Sequence, residues 1–371
     1  MTERKVAIIW GCGGQDGSYL SEFLLEKGYT VIGVVRRTST DNTQRLKHIL
    51  DNPNFKLVEG DLVDAKSVSQ IIAEHQPQEV YNLAAQSHVG TSFKQPTLTH
   101  EVNANGTFNV LDAVKEHSPH SRVYQASTSE MFGSNMKERH SLNENQGEIP
   151  NSPPEYTTEY YQDETTEFHP NSPYAIAKLA AHNAVRMYRE GYGLFACSGI
   201  LFNHESPRRG EKFVTRKVTM WIAKFKEWNN NGQGLSGDKD MLYNSVANEE
   251  GFPKLRLGNL DARRDWGHAR DYIRGMWMML QQETPDDYVL ATGKTFSIRD
   301  LLDVAFKEIG IEDWTDYVVV DPEFFRPFDV EYLLGDASKA KRELGWEPEI
   351  QFEELVKEMV DEDYKKILSY S

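Results

Sequence analysis

The sequence predicts an α/β protein with a doubly wound parallel sheet and a smaller C-terminal α/β domain. Three observations support this class: strand-like apolar runs alternate with helical stretches in the first half, a glycine-rich turn follows the first run, and 371 residues suffice for two domains. We expect a Rossmann-type cofactor domain over 1–195 with a return segment near 265–300, and a substrate domain formed by 196–264 and 301–371.

The strands and helices of the first half follow from their residue patterns. Short apolar runs predict strands, and stretches with apolar residues three or four positions apart predict helices. The expected strands are Lys5–Trp10, Thr30–Val35, Phe55–Val58, Glu79–Leu83 and Arg122–Ala126. The expected helices include Gly17–Lys27, Ala65–His75 and Gly106–His117.

The composition predicts a soluble globular protein, with a net charge of −16, an isoelectric point near 5.2 and a mean hydropathy of −0.61. The sequence has no apolar run long enough for a membrane span and no signal-peptide core after Met1. Two cysteines, Cys12 and Cys197, are too few for a disulfide framework, so we expect a cytoplasmic location. The acidic balance argues against broad binding to nucleic acid or membranes, and no metal site is predicted.

Two polar segments interrupt the strand–helix alternation. Residues 134–167 are acidic and rich in Asn, Pro and Tyr, and residues 229–252 begin with an Asn/Gly-rich stretch. Both are expected to be surface insertions. Their role stays open between solvated loops and a lid or subunit contact.

A dinucleotide site is predicted where the first strand meets the first helix, at Gly11, Gly14 and Gly17. The chain turns sharply at Gly11, the backbone at Gly14 can approach a pyrophosphate, and Gly17 allows the helix to pack closely on the sheet. The helix N-terminus then offers free N–H groups and a positive dipole to the phosphates. The position of the glycines between a strand and a helix makes this motif specific.

The end of the second strand indicates which nicotinamide cofactor is bound. NAD sites commonly place an acidic residue there to hold the ribose 2′-hydroxyl, whereas this chain has Arg36 and Arg37. Guanidinium groups can bind a 2′-phosphate, so NADP is favoured. Asp61 and Leu62 after the third strand are expected near the adenine, and Gln86 and Ser87 after the fourth near the ribose and nicotinamide.

A candidate base lies in the segment Tyr174-Ala-Ile-Ala-Lys178. Four residues apart on a helix, Tyr174 and Lys178 share one face. A nearby ammonium and an oxidised nicotinamide would favour the phenolate, which could take a proton from a sugar hydroxyl as hydride leaves its carbon.

The fifth strand is followed by a second candidate pair, the hydroxyl of Thr128 and the carboxylate of Glu130. Simple hydride transfer needs a hydroxyl to orient the substrate but has no evident use for a carboxylate. A dehydratase needs a group that removes a carbon-bound proton and then helps a hydroxyl leave as water. One carboxylate can act as general base and then as general acid.

With these features the sequence resembles the GDP-mannose 4,6-dehydratase family of the extended short-chain dehydrogenase/reductase superfamily. The resemblance extends over nearly the whole chain, and the runs Asn203-His-Glu-Ser-Pro207 and Gly258-Asn-Leu-Asp261 are specific to this family within the superfamily. The similar stretches are Gly14–Leu20, Ser127–Glu130, Ser172–Lys178, Leu201–Pro207, Phe213–Lys217, Leu257–Ala262, Arg264–His268 and Leu334–Asp336.

The resemblance implies roles for the matching positions. It implies a catalytic set of Thr128, Glu130, Tyr174 and Lys178, the last two also touching the cofactor. It implies that the other NADP contacts are Gly11, Asp16, Arg36, Asp61, Leu62, Gln86, Ser87, His204 and Arg209, to which the glycine motif adds Gly14 and Gly17. It implies that the sugar nucleotide is held by Ser87, Asn203, Val214, Lys217, Arg264, Arg326 and Asp329.

The implied reaction is redox-neutral over a full turnover. Tyr174 takes the O4 proton while hydride moves from C4 to NADP+, Glu130 removes the C5 proton that the 4-ketone acidifies, and water leaves from C6 with Glu130 as acid. Hydride then returns to C6. The resemblance also implies a homodimer or homotetramer, with the Arg36–Arg37 loop near a subunit contact.

Departures from the family pattern leave the substrate open. The family usually has Thr-Gly where this chain has Trp10-Gly11, so Trp10 is expected to reshape the floor of the cofactor site. The family also often has a tyrosine near position 98, where this chain has Leu98, so one cofactor contact is expected to be missing. Because the insertions are also long, a GDP-heptose or another modified GDP-hexose stays possible as the substrate.

Two other functions also stay open, a sugar-nucleotide epimerase and a non-catalytic NADP-binding protein. Glu130 argues against the epimerase, and the intact catalytic set argues against the non-catalytic protein.

Overall fold

The computed structural model describes residues 4–142, 156–230 and 251–369. The strands are β1 (Val6–Trp10), β2 (Thr30–Val35), β3 (Phe55–Glu59), β4 (Glu79–Asn82), β5 (Arg122–Thr128), β6 (Lys137–Leu142), β7 (Tyr156–Tyr161), β8 (Ala196–Leu201), β9 (Asn203–Glu205), β10 (Leu255–Leu257), β11 (Arg263–Arg264), β12 (Trp266–His268), β13 (Tyr288–Leu290), β14 (Phe296–Ser297) and β15 (Val318–Val320). The helices are α1 (Gln15–Glu26), α2 (Ala65–His75), α3 (Val89–Lys94), α4 (Pro96–His100), α5 (Gly106–His117), α6 (Pro173–Tyr192), α7 (Val214–Asn230), α8 (Ala269–Met279), α9 (Ile298–Lys307), α10 (Ser338–Leu344) and α11 (Phe352–Leu368).

The centre of the molecule is a seven-stranded parallel sheet in the order β13-β8-β5-β4-β1-β2-β3. The order reverses at β1, where strand β2 lies on one side and β4 on the other. In a sheet of this kind, ligands bind beyond the carboxyl ends of the strands at that switch point. The predicted fold class is confirmed, and all the strands predicted in the first half are present with ends that differ by at most two residues.

Helices cover both faces of the sheet because its strands are apolar on both sides. Helices α1 and α8 pack on one face, where Tyr19, Leu20 and Leu24 meet Tyr272 and Met276. Helices α2, α5 and α6 pack on the other.

A second core lies in the C-terminal part of the chain. Helices α7, α9 and α11 pack together around aromatic side chains that include Trp221, Phe225 and Phe306. The chain returns to the first sheet at β13 before it completes this second core. The domain boundaries expected from the sequence stay a prediction. Within the described ranges, no helix is long and apolar enough to cross a membrane.

The two polar insertions are more ordered than surface loops at their described ends. Residues 134–167 contain the antiparallel pair β6–β7, and Gln162 at its base is fully buried. In the second insertion, α7 continues to the exposed Asn230, and Phe252 at the other end is buried in the second core. Residues 143–155 and 231–250 lie outside the described residues.

The indole of Trp10 lies in the core between the sheet and α2, with 1% of its surface exposed. A Cβ atom on Gly60 would lie 3.2 Å from its Cζ3. The ring thus packs against the backbone at Gly60, directly before Asp61. Leu98, by contrast, is 47% exposed on α4.

Candidate active site

The glycine turn leaves the start of α1 free at the sheet edge. Gly11 has a φ of +81°, a backbone conformation that favours glycine. A Cβ at Gly17 would lie 2.4 Å from the carbonyl oxygen of Gly11, so only a hydrogen there allows the helix to pack this closely. Gly14 is the exposed N-cap and makes no side-chain cap bond to α1. These features fit the pyrophosphate of a dinucleotide.

The first turn of α1 is joined to the segment that follows β8. His204 Nε2 and Asp16 Oδ2 are 2.8 Å apart, and Gln15 donates to the carbonyl oxygen of His204 over 3.1 Å. Burial by itself raises the pKa of Asp16, but the charge and hydrogen bond of His204 outweigh it and lower the pKa. Asp16 correspondingly raises the pKa of His204 against burial. The two predicted cofactor residues form one charged pair beside the glycine turn.

The end of β2 carries the predicted phosphate-binding arginines. Arg36 and Arg37 are both exposed, directly after the buried Val35. The backbone carbonyl of Arg36 accepts from Asn42, which fixes the start of the loop over 2.9 Å. The guanidinium groups therefore extend from an anchored backbone beside the glycine turn.

The loops after β3 and β4 use their side chains mainly for their own structure. Asp61 accepts from the N–H of Val63, and the side chain of Leu62 is buried in the core, which leaves backbone groups for contact with an adenine. The amide of Gln86 bonds to the backbone of His88 in both directions and to Thr99. Ser87 between them is exposed.

The predicted catalytic residues Tyr174 and Lys178 lie at the carboxyl end of β5. The N-cap Ser172 begins α6 by accepting from the N–H of Ala175. Tyr174 follows in the first turn, near enough to Thr128 for the threonine hydroxyl to affect the pKa of the phenol. Lys178 Nζ donates to the carbonyl oxygen of Ala126 over 2.8 Å and lies 5.9 Å from the centre of the Tyr174 ring.

Burial dominates the titration of both groups. It raises the pKa of Tyr174 to about 12, although the nearby Thr128 hydroxyl acts in the opposite direction and lowers it. Burial also lowers the pKa of Lys178 to about 8. The protein on its own thus keeps the phenol protonated at neutral pH, and the expected stabilisation of the phenolate needs the positive nicotinamide in addition to Lys178.

Glu130 is grouped with three of the predicted substrate residues. Arg326 Nη1 lies 3.9 Å from Glu130 Oε1 and 3.4 Å from Asp329 Oδ1. Arg264 Nη2 lies 3.2 Å from the same Asp329 oxygen. Asp329 therefore holds two guanidinium groups near each other, which is an arrangement suited to a diphosphate. Glu130 is at its edge with 13% of its side chain exposed.

The remaining predicted substrate residues lie around this group. Lys217 on α7 has its ammonium 3.6 Å from the centre of the Phe324 ring, and burial, with help from Arg256, lowers its pKa to about 8. Val214 is partly buried at the start of the same helix. Asn203 pairs with Trp266 between β9 and β12. Arg209 Nε lies 3.1 Å from Glu205, and its guanidinium covers Phe213.

Three supporting residues were missed by the sequence reasoning. Asn103, in a π-helical turn over Glu101–Asn105, bonds both backbone groups of Gln86 and so fixes the loop after β4. Gln15 and Ser206 bond to each other across the glycine turn over 2.8 Å. Gln15 lies inside a stretch already quoted for its family resemblance, whereas Asn103 carries no local signal, because a π-turn is defined only by its hydrogen bonds.

Fold and site together define a protein of the nicotinamide-dependent epimerase and dehydratase class. The model of the NAD dependent epimerase/dehydratase family matches residues 7–291. The dTDP-glucose 4,6-dehydratase DesIV from Streptomyces venezuelae, solved with NAD and TYD, has a TM-score of 0.75 at 23% identity over 98% of both chains. The UDP-glucose 4-epimerase of Thermotoga maritima has a TM-score of 0.74 at 23% identity, over 98% of this chain and 99% of its own.

More similar sequences narrow this class. The GDP-mannose 4,6 dehydratase family model matches residues 233–359. GDP-mannose 4,6 dehydratase 1 of Arabidopsis thaliana is 49% identical over 97% of this chain and 90% of its own. GDP-mannose 4,6-dehydratase of Vibrio cholerae is 45% identical over 99% of this chain and 96% of its own. The chain belongs to the GDP-mannose 4,6-dehydratase family.

Proposed function

We propose that this protein converts GDP-mannose to GDP-4-keto-6-deoxy-mannose, with NADP as the resident cofactor. The observation that carries the proposal is the position of Glu130 beside both the Thr128–Tyr174 pair and the arginines of the sugar-nucleotide site. A carboxylate at this place serves an elimination, and full-length relatives named as GDP-mannose dehydratases support the sugar.

The residues of the chain divide the proton transfers between them. Tyr174 takes the O4 proton of the sugar, with Thr128 orienting the phenol oxygen. Glu130 takes the C5 proton and gives it to the C6 hydroxyl, which leaves as water, so the substrate loses one water overall. The cofactor, when bound, would supply the hydride chemistry between C4 and C6, and Tyr174 would return the O4 proton to C5 as the C5–C6 double bond is reduced. Arg264, Arg326 and Lys217 bind the diphosphate, and the free oxygen of Asp329 accepts from a ribose hydroxyl.

The preference for NADP rests on the end of β2. Arg36 and Arg37 are exposed there and provide the charge that a 2′-phosphate requires. The other proposed cofactor contacts are Gly11, Gly14, Asp16, Gly17, Asp61, Leu62, Gln86, Ser87, Tyr174, Lys178, His204 and Arg209.

The proposal extends to a cytoplasmic homodimer or homotetramer. The apolar side chains of Ile176 and Met187 are 52% and 42% exposed on α6 and lie eleven residues apart, close to three helical turns, so they share a face. Burying these two side chains against a second copy would remove apolar surface from water. The free thiols of Cys12 and Cys197 are both buried, which suits a reducing compartment.

The decisive experiment incubates the purified protein with GDP-mannose, and separately with a GDP-heptose. Mass spectrometry then detects the loss of one water. We expect a dehydrated 4-keto product from GDP-mannose with no net change in cofactor. A product from the GDP-heptose alone would reassign the sugar, and no product from any GDP-sugar would contradict the proposal.

A further inference from the structure

Gln162 stands at the base of the β6–β7 pair and has no exposed surface. Its side-chain oxygen accepts from the N–H of Leu334 over 2.9 Å, and its side-chain nitrogen donates to the carbonyl oxygen of Asn135 over 3.3 Å. Its backbone donates to Leu334 over 2.8 Å and accepts from Asp336 over 2.9 Å. One buried residue thus joins two distant segments of the chain.

The first of these segments leads directly from Glu130. Asn135 donates its N–H to the carbonyl oxygen of Phe132 over 3.0 Å, which closes the turn that begins after Glu130. Met131 and Phe132 are fully buried against Val330 and Leu333. The position of Asn135 is therefore fixed relative to the backbone that follows Glu130.

The second segment leads directly from Asp329. Val330 donates its N–H to the carboxylate of Asp329, and Leu333 donates to the carbonyl oxygen of Arg263 over 3.1 Å. Arg264 is the next residue along that strand. The Arg264–Arg326–Asp329 group therefore has its own supports, and Gln162 connects this group to the Glu130 turn.

We propose that Gln162 is a positioning residue that sets the separation between Glu130 and the Arg264–Arg326–Asp329 group. The inference rests on the proposed dehydration, because only the elimination needs Glu130 and the bound sugar in a fixed relation. A leucine would fill much the same space, so the polar side chain is explained by the two segments it bonds. Buried amides persist when each of their hydrogen-bonding groups has a partner.

The test compares two variants of Gln162 with a control on the same strand pair. Gln162→Leu removes both side-chain bonds, and Gln162→Glu keeps an acceptor for Leu334 but loses the donor to Asn135. Thr158→Val is the control, because the Thr158 hydroxyl bonds His140 across β6 and β7 over 3.0 Å and reaches neither segment. Each protein is assayed with GDP-mannose and NADP+, and its GDP affinity and melting temperature are measured.

For Gln162→Leu we expect kcat to fall about 10- to 100-fold, the range for small misplacements of reacting groups. The KM for GDP-mannose should change less than about threefold, because the contacts of the arginine group remain. Reduced cofactor should accumulate during turnover and be visible in its near-ultraviolet absorbance, since oxidation at C4 continues while elimination slows. Gln162→Glu should show the same pattern to a smaller degree, and Thr158→Val should match the wild type.

Several results would overturn the inference. The inference would be contradicted if the wild type is active and Gln162→Glu has the same kcat and the same level of reduced cofactor as Thr158→Val. A parallel loss of kcat, GDP affinity and thermal stability without reduced cofactor would also contradict it, because that result would mean a general structural role. If Gln162→Leu does not fold, Gln162→Glu decides by the same criteria. A wild type that forms no dehydrated product would overturn the proposed function and this inference together.

Discussion

The guanidinium of Arg326 stands between two carboxylates, with Nη1 3.9 Å from Glu130 Oε1 and 3.4 Å from Asp329 Oδ1. Because a diphosphate carries more negative charge than one carboxylate, we expect the sugar nucleotide of the proposed reaction to compete with Glu130 for this cation. Glu130 would then be free for the proposed role at C5 and C6. Under the proposed function, the contact would link occupancy of the nucleotide site to the state of the Glu130 carboxylate.

Replacing Arg326 tests this relationship. Arg326→Met should raise the KM for GDP-mannose about 10- to 100-fold, the loss of one charge-assisted interaction with phosphate, and weaken GDP binding in proportion. Steady-state kinetics and calorimetry with GDP measure both effects. Arg299→Gln, which breaks a largely exposed ion pair to Asp261, serves as the control and should change neither. An unchanged GDP affinity in Arg326→Met would remove the arginine from the nucleotide site.

Glu130→Gln separates dehydration from other reactions of the fold. The amide cannot take the C5 proton, so product formation should fall at least about 100-fold, the typical contribution of a general acid or base. Transient reduction of the cofactor by GDP-mannose should persist, because Tyr174 is unchanged. Stopped-flow absorbance and mass spectrometry follow the two events. Turnover close to the wild-type rate would indicate an epimerase, in which C4 chemistry needs no C5 base.

The ionisation of Tyr174 should respond to the cofactor. Burial raises the pKa of this phenol to about 12 in the protein alone, so it stays protonated through neutral pH. The positive charge of oxidised nicotinamide favours the phenolate and should lower that value. The tyrosinate absorbance of wild type minus Tyr174→Phe, titrated with and without NADP+, measures the change. A titration midpoint that stays the same with NADP+ would contradict a base role for Tyr174.

The choice between NADP and NAD should depend on Arg36. Arg36→Ala removes a cation proposed to bind the 2′-phosphate, so the dissociation constant for NADP+ should rise about 10-fold or more, the equivalent of one charged hydrogen bond. The constant for NAD+ should change little. Fluorescence or calorimetric titration measures both constants. If both cofactors lose affinity equally, Arg36 holds the loop rather than the phosphate.

The buried ion pair between Arg216 and Asp363 should contribute strongly to stability. Its side chains are 4% and 1% exposed, and it joins α7 to α11 with a bond from Thr219 to the same carboxylate. Asp363→Asn leaves the guanidinium buried without its counter-charge and should reduce the free energy of unfolding by about 3 kcal/mol. Denaturant unfolding measures the loss. The exposed pair Lys365–Glu362 provides the control, and Glu362→Gln should change stability by less than about 1 kcal/mol.

Much of the sheet could be predicted because its signals are local. The strands alternate with helices, and the bounds of Ala65–His75 and Gly106–His117 agree with the structure, where Asp64 caps the first of these helices with its carboxylate. The juxtaposition of Thr128 with Tyr174 was also accessible, because β5 and α6 both carry their motifs at element ends. Local pattern and tertiary position agree at these places.

The rest depended on contacts between distant parts of the chain. The sequence of 134–167 is polar, so the burial of Gln162 could not be recognised without its partners Asn135 and Leu334. Phe252 follows a polar stretch, yet tertiary packing draws it into the second core. Trp10 at the end of β1 was expected at the cofactor floor, but the direction of its side chain depends on the space beneath Gly60.

Strand β13 is the last strand of the parallel sheet in sequence order, and its residues follow much of the second core along the chain. Strand β8 pairs with β13 on its outer side, and α7 and α8 lie between these two strands in the sequence. During synthesis on the ribosome, β8 is therefore an unpaired apolar edge while the intervening chain emerges. Such edges promote aggregation, so a fragment that ends soon after Leu201 should need a chaperone to remain dispersed. The order of emergence thus makes the nucleotide-binding half dependent on the half that follows it.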